Sequence, residues 1–321
     1  MMSAAAVSAV AVRRDLARLV GSVAAAREHL RALRTSSVAP GTDEDRAHED
    51  PVVDWLYTTW YTAVPERLVV DPSAHHRPDL AMVLRAALPA SVRWATGWVV
   101  LDVGRHGTCV AGRRGHARQV RAGEYANLSR PGVPVRPGDA VAISECIDWV
   151  DGDSGFWATR SVQGEPSPPW LRVYWSVSVR DIARVLTDVT TTLERLNLRY
   201  SLKCPVRSAA FGRVDALIVY LERADWIGAR DAITVLARDL EPRLRPWCPP
   251  LTLRLAHGVA CADDPGGGLS FGQSRCRMLA VAVHALVDQP TASADAGIEV
   301  CLRALSDARV DPERPWLHAE G

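Results

Sequence analysis

From residue 171 to the C-terminus the hydrophobic period switches repeatedly between two residues and about 3.6, and this alternation constrains the fold more than any other feature of the chain. Residues 171–177 alternate, with Arg172 and Tyr174 on one face and Val173 and Trp175 on the other. Residues 181–199 then carry Ile182, Val185, Leu186, Val189, Leu193 and Leu196 as a helical stripe. Strands follow over 200–206 and 216–221, the second apolar enough to be central. A helix over 226–240, a strand over 251–256 and helices over 272–288 and 293–308 complete the series. Interleaved strands and helices predict an α+β fold, or mixed α/β.

The preceding half has a different texture. Residues 12–34 space Leu16, Leu19, Val20, Val23, Leu30 and Leu33 as an amphipathic helix with arginines between them. The polar stretch 35–50 reads as a loop or linker. Residues 53–61 concentrate Trp55, Tyr57, Trp60 and Tyr61, and a further helix is expected over 78–88. Short runs of β-formers at 94–103, 108–112, 119–121 and 140–143 make a small β-rich unit, with a turn at Arg136-Pro137-Gly138-Asp139 before the last. A chain of 321 residues exceeds the usual limit for one core, and the proline-rich break at 164–169 divides it into units 1–163 and 164–321. The expected picture is an N-terminal helix with a small β-rich unit, then a C-terminal sheet with packed helices.

A net charge of +1 gives no general electrostatic reason to expect a nucleic acid or an anionic membrane as partner. The seven cysteines have no zinc-like spacing, so no metal or other cofactor is expected and reduced thiols in a cytoplasm are the plain reading. The apolar stretch 4–12 is followed, not preceded, by Arg13 and Arg14, the wrong order for a secretion signal. No run approaches the ~18 apolar residues that span a bilayer.

Among 38 basic residues only Lys203 is a lysine. A lysine kept where every other such residue is arginine marks a place where guanidinium cannot substitute, because arginine stays protonated and cannot act as base or imine-forming amine. Its position in the middle of a strand would hold the amine rigidly. The competing reading is a chance survivor at a strand edge. Arginines must be selected by position: Arg213 just before the strand 216–221, Arg172 and Arg254 alternating outward from strands, and Arg275 in a helix that opens after Ser270-Phe271-Gly272. Each alone is more plainly a solvated surface group. Together with a lysine they suggest phosphate recognition joined to proton abstraction.

Six blocks in order carry a family resemblance: Leu171-Arg172-Val173-Tyr174-Trp175; Tyr200-Ser201-Leu202-Lys203; Arg213-Val214-Asp215-Ala216 leading to Val219-Tyr220-Leu221; Ala262-Asp263-Asp264-Pro265-Gly266; Ser270-Phe271-Gly272-Gln273-Ser274-Arg275-Cys276; and Asp311-Pro312-Glu313-Arg314-Pro315-Trp316-Leu317. With weaker matches at Leu56-Tyr57, Trp60-Tyr61, Gly97-Trp98 and Phe156-Trp157, the chain resembles the Hop-A family of type III effectors. Its arginine-dominated composition suits the actinobacterial branch, which is similar to the lyase component of class V lanthipeptide and thioamide-peptide biosynthesis.

That resemblance implies β-elimination of phosphate from phosphoserine or phosphothreonine in a precursor peptide, leaving dehydroalanine or dehydrobutyrine. A separate Ser/Thr kinase would supply the phosphate. Lys203 would be the base and Arg213, Arg275, Arg172 and Arg254 the phosphate contacts. Several relatives have histidine at position 274, where this chain has Ser274, so another acid is needed; Tyr174, His75 and His76 are the substitutes. The N-terminal aromatics would bind peptide or kinase, or else pack in a core. The rival functional reading is a non-catalytic phosphopeptide- or kinase-binding protein, and a third is a scaffold acting on host proteins.

Overall fold

The structure is a computed structural model and describes residues 4–36, 50–64, 80–89, 92–151, 154–289 and 293–318. Helices α1 (Ala4–Ala25), α2 (Arg27–Ser36), α3 (Pro51–Leu56) and α4 (Leu80–Ala86) come first, with a π-helical turn over Tyr57–Tyr61 continuing α3. Strands β1 (Val92–Val103), β2 (Cys109–Arg113), β3 (His116–Val120), β4 (Tyr125–Asn127) and β5 (Ala140–Cys146) form an antiparallel sheet in the order β3-β2-β1-β5-β4. Its own small core comprises Trp98, Val100, Ala111, Val120, Val141 and Ile143.

The rest of the chain builds a seven-stranded sheet. Strands β6 (Asp148–Asp151), β7 (Phe156–Arg160), β8 (Trp170–Trp175), β9 (Tyr200–Pro205), β10 (Leu217–Glu222), β11 (Leu253–Ala256) and β12 (Val259–Asp263) lie in the order β11-β12-β8-β10-β9-β7-β6, each antiparallel to its neighbours. Helices α5 (Ile182–Arg195), α6 (Trp226–Asp239), α7 (Phe271–Asp288) and α8 (Ala294–Asp307) complete the fold.

The period-two alternation puts the sheet's two faces to different uses. One face packs Trp157, Val173, Trp175, Leu202, Cys204, Leu217 and Val219 with apolar residues of α4, α5 and α6. The other contributes Tyr174, Ile218 and Ala262 to a core shared with α1, α2, α3, α7 and α8. The fold is α+β, as expected. The break at 164–169 lies between β7 and β8 of this one sheet, and α1–α3 share a core with α7 and α8.

Several boundaries differ from the sequence expectation for local reasons. The helix expected through residue 199 stops at Arg195, because Asn197 takes a left-handed φ of 57° and turns the chain into β9. The helix expected over 12–34 is two helices that meet at Ala26. The strand expected over 251–256 begins at Leu253, after Leu251 at φ 61°. Its partner β12 is hidden from an alternation search, since all five of its residues are buried. Gly258 makes the hairpin between them at φ 69°, where a Cβ would lie 2.3 Å from the Arg245 carbonyl oxygen. The expected loop at 35–50 lies outside the described residues except Asp50, whose side chain caps α3 by accepting from Val52 N–H at 2.9 Å.

At the β6–β7 edge, Trp157 is fully buried and donates its indole N–H to Asp148 at 3.0 Å, while Arg85 of α4 pairs with the same carboxylate at 2.8 Å. Trp157→Ala removes both the packed ring and a charge-assisted bond. It is expected to cost about 3–5 kcal/mol, measured by chemical denaturation of the full chain.

Candidate functional site

Cross-strand register arranges the open face of the sheet as a grid. Ile218 of β10 stands between Lys203 of β9 and Tyr174 of β8, and Tyr220 stands between Ser201 and Arg172. On the far side of β9, Ala158 lies opposite Lys203. Neighbouring Leu202 and Cys204 point to the α5–α6 core, so alternation forces Lys203 onto this face. The lysine is half-buried, its Nζ 5.1 Å from the Phe156 ring centre and 5.7 Å from that of Tyr220. The two rings flank the amine and fix its direction.

Lys203 stands where two cavities meet. A groove of 1060 Å³ runs over Phe156, Ala158, Ser201, Tyr220 and Arg172 between walls that include Trp149, Trp170 and the glycine run 266–268. The glycines all have positive φ, a conformation that only this residue type adopts freely. A smaller pit of 250 Å³ opens beside it. Lys203, Phe156 and Arg172 line both, whereas Tyr57, Tyr61, Tyr174, Arg213, Asp215, Ile218, Ser270, Gly272 and Gln273 line the pit only.

Two arginines and Lys203 line the pit together with Asp215. Arg213 lies half-buried, its Nε and Nη2 paired with Asp215 at 2.8 and 2.9 Å and its Nη2 also donating to the Tyr57 hydroxyl at 3.0 Å. Burial opposes its charge, but the bonds and proximity to Asp215 and Tyr57 more than offset this and hold its pKa above the ordinary arginine value. Arg172 is buried and paired with Asp264, and donates to the Leu269 carbonyl at 3.1 Å. Again burial is outweighed, here by Tyr220, Tyr174 and the Asp264 carboxylate, and its pKa stands above the ordinary value. Each carboxylate orients its guanidinium through Nε and Nη2. Among the described residues, Nη1 of neither arginine has an acceptor.

The first turn of α7 faces this pit. Its capping box uses the Ser270 hydroxyl to accept from Gln273 N–H at 3.1 Å, and the Gln273 side chain to accept from Ser270 N–H at 2.9 Å. The first-turn N–H groups and dipole add positive potential. Gly272 has no room for a side chain, since a Cβ would lie 2.3 Å from Cε1 of Tyr61 and 2.8 Å from Cε2 of Tyr57. These two rings stack at 5.7 Å and 10°. They reach the pit because the chain after the π turn is tied to the loop before β10, through the Ala63–Arg213 bridge and the Val214 N–H to Thr62 carbonyl bond at 3.0 Å. The hydroxyls of Tyr61 and Tyr174 are buried neighbours, yet neither makes a hydrogen bond of sound geometry. Burial raises the pKa of both, so they stay neutral.

Residues 153–317 match the HopA1 effector protein family. The chain belongs to that family. Similar in fold are two solved effector proteins, from Pseudomonas syringae pv. tomato strain DC3000 and from Pseudomonas syringae pv. syringae strain 61. The first is 12% identical with a TM-score of 0.47, over 94% of this chain and 100% of that one. The second is 11% identical with a TM-score of 0.46, over 92% and 97%. Comparison with curated proteins gives no match.

Of the residues selected from the sequence, the HopA1-family fold brings Lys203, Arg172, Arg213 and Tyr174 to one place. Arg275 does not join them. It is buried with its guanidinium against the Phe271 ring, donating to the carbonyls of Pro315 at 2.8 Å and Leu317 at 2.9 Å and to the Ser274 hydroxyl at 3.2 Å. Burial pulls its pKa down to about 10. It fastens the C-terminal tail, whose His318 lines the groove. Arg254 sits exposed on the edge strand β11, lining neither cavity. His75 and His76 lie outside the described residues. No group of His, Cys, Asp or Glu among the described residues is placed to hold a metal, and no helix among them is long and apolar enough to cross a membrane.

Tyr57 and Tyr61 are the site residues the sequence reading assigned elsewhere. Trp60 and Tyr61 are buried and Trp55 packs against the helical core, so this aromatic run builds the pit and the core beside it, not an exposed partner surface. The signal for them was the pairing of Gly272 with aromatics four residues apart, which only the tertiary contact reveals.

These placements separate two arginines that look alike in sequence. Arg213→Gln is expected to weaken phosphopeptide binding roughly tenfold or more, as loss of a charge-assisted contact of about 1.5–3 kcal/mol requires. Arg275→Leu is expected to lower stability by roughly 2–4 kcal/mol while a phosphopeptide still binds. Calorimetric titration and denaturation of both variants check this.

Proposed function

We propose that the chain is a lyase that eliminates phosphate from phosphoserine or phosphothreonine in a peptide, leaving dehydroalanine or dehydrobutyrine. The observation that carries this reading is Lys203 at the junction of an open groove and a cationic pit. The groove suits the peptide on either side of the modified residue, and the pit suits its phosphate. Phosphate oxygens would take up the free Nη1 donors of Arg172 and Arg213, the first-turn N–H groups of α7 and the unsatisfied hydroxyls of Tyr61 and Tyr174.

In this mechanism the neutral amine of Lys203 takes the α-proton as the Cα–H electron pair forms the Cα=Cβ bond. The Cβ–O bond breaks and phosphate leaves with its electron pair. Arginine serves on the leaving-group side because it cannot lose its proton, and lysine on the α-carbon side because it can. By resemblance to the actinobacterial branch, the substrate would be a lanthipeptide-type precursor phosphorylated by a separate kinase in the cytoplasm.

Lys203→Arg keeps a long basic side chain but removes the base. Formation of dehydroamino acid from a purified phosphopeptide is expected to fall by roughly 10³-fold, within the range a positioned base supplies. Lys203→Ala is expected to lose product while still binding the phosphopeptide. Substantial turnover by the arginine variant contradicts the assignment, and unchanged product from the alanine variant leaves only the binding-protein reading.

A further inference from the structure

We infer that Tyr57 is a catalytic residue of this site: the proton donor to the bridging oxygen of the departing phosphate. The inference rests on the elimination reading above. It deepens that reading, which leaves the leaving-group acid unassigned.

The pit offers three phenols, and their surroundings differ. Tyr61 and Tyr174 are sealed, 1% and 2% exposed, and burial makes ionisation of either unfavourable. A phenol in such a place can donate a hydrogen bond but is poorly suited to giving up its proton. Tyr57 is half-buried, and its oxygen accepts from the Arg213 guanidinium at 3.0 Å. Arg213 also lies over its ring, 5.5 Å from the centre. A fixed cation thus stands against the phenol oxygen, at the place where charge would develop as its proton is given up. Among the described residues no acceptor takes the hydrogen of Tyr57 itself, which is therefore free to point into the pit.

The position is also enforced. Tyr57 opens the π-helical turn, a backbone form found often at functional sites; its ring stacks on Tyr61, and both rings lie against the bare Cα of Gly272. The charged and titratable groups around it are Arg213 and Asp215 from the loop before β10, Arg172 and Tyr174 from β8, Lys203 from β9, and Tyr61 on its own turn; α7 presents only Ser270, Gly272 and Gln273. Lys203 lines both cavities but Tyr57 only the pit, so the base addresses the α-carbon side while the phenol addresses the phosphate side. The atoms balance: Lys203 gains the α-proton, Tyr57 gives its proton to the leaving oxygen, and solvent returns a proton from the ammonium to the phenolate after hydrogen phosphate departs.

The test is steady-state elimination by the full chain on a synthetic phosphoserine peptide, comparing wild type, Tyr57→Phe and a form carrying 3,5-difluorotyrosine at position 57. Phenylalanine keeps the ring stack, and thermal melting verifies the fold. The expected result for Tyr57→Phe is a fall in kcat of at least ~100-fold with little change in KM, together with loss of the alkaline limb of the kcat profile. Fluorotyrosine, a stronger acid, is expected to restore turnover with that limb moved to lower pH. A rise in KM with kcat preserved makes Tyr57 a phosphate contact and overturns the inference. A reduced kcat that keeps the wild-type pH profile makes it structural and also overturns it. If wild type itself yields no dehydroalanine, the elimination reading fails before the role of Tyr57 is reached, so the two failures are distinguishable.

Discussion

The cross-strand register of β8, β10 and β9 is the constraint on which the rest of the site depends. Because Ile218 pairs with both Tyr174 and Lys203, and Tyr220 with both Arg172 and Ser201, the four polar members occupy adjacent points on one face. A one-residue slip of β9 would send Lys203 into the apolar core against α5 and α6 and bring Leu202 to the groove. Burial of Leu202, Cys204, Val173, Trp175, Leu217 and Val219 on that opposite face opposes such a slip. The hydrophobic effect on one side of the sheet thus holds the chemistry on the other.

Electrostatics then divide the open face. Two arginines buried without partners would destabilise the fold, and Asp215 and Asp264 relieve that cost while leaving part of each guanidinium free. The pairs are oriented, so the remaining guanidinium donors are held in place. Tyr61 and Tyr174 add two buried hydroxyls that find no well-placed partner among the described residues. Helix α7 serves both ends of this design. Its N-terminus faces the pit through Ser270, Gly272 and Gln273, and Arg275 one turn on ties down the tail that carries His318 to the groove.

Much of this was legible in the sequence, and the parts that were not have physical reasons. The alternation in 171–177 and the rarity of lysine led to Arg172, Tyr174 and Lys203, since both signals are local. Arg213 followed from its place before an apolar strand. Arg275 was misjudged because a helix start alone does not say whether a guanidinium faces solvent, an anion or, as here, the carbonyls of Pro315 and Leu317. Strand β12 lacks alternation because it is covered on both faces. Tyr57 lies 156 residues from Arg213, and nothing in either local sequence announces that contact.

On the proposed reading, this face breaks a Cβ–O bond without adding water. The most direct test is to incubate the full chain with a phosphoserine peptide in heavy-oxygen water and follow peptide and phosphate by mass spectrometry. Elimination predicts a peptide lighter by one phosphoric acid, one unlabelled phosphate released for each, and loss of both products when Lys203 is replaced by arginine. Labelled phosphate with regenerated serine would show hydrolysis, and an unchanged phosphopeptide would show binding alone; either result contradicts the account.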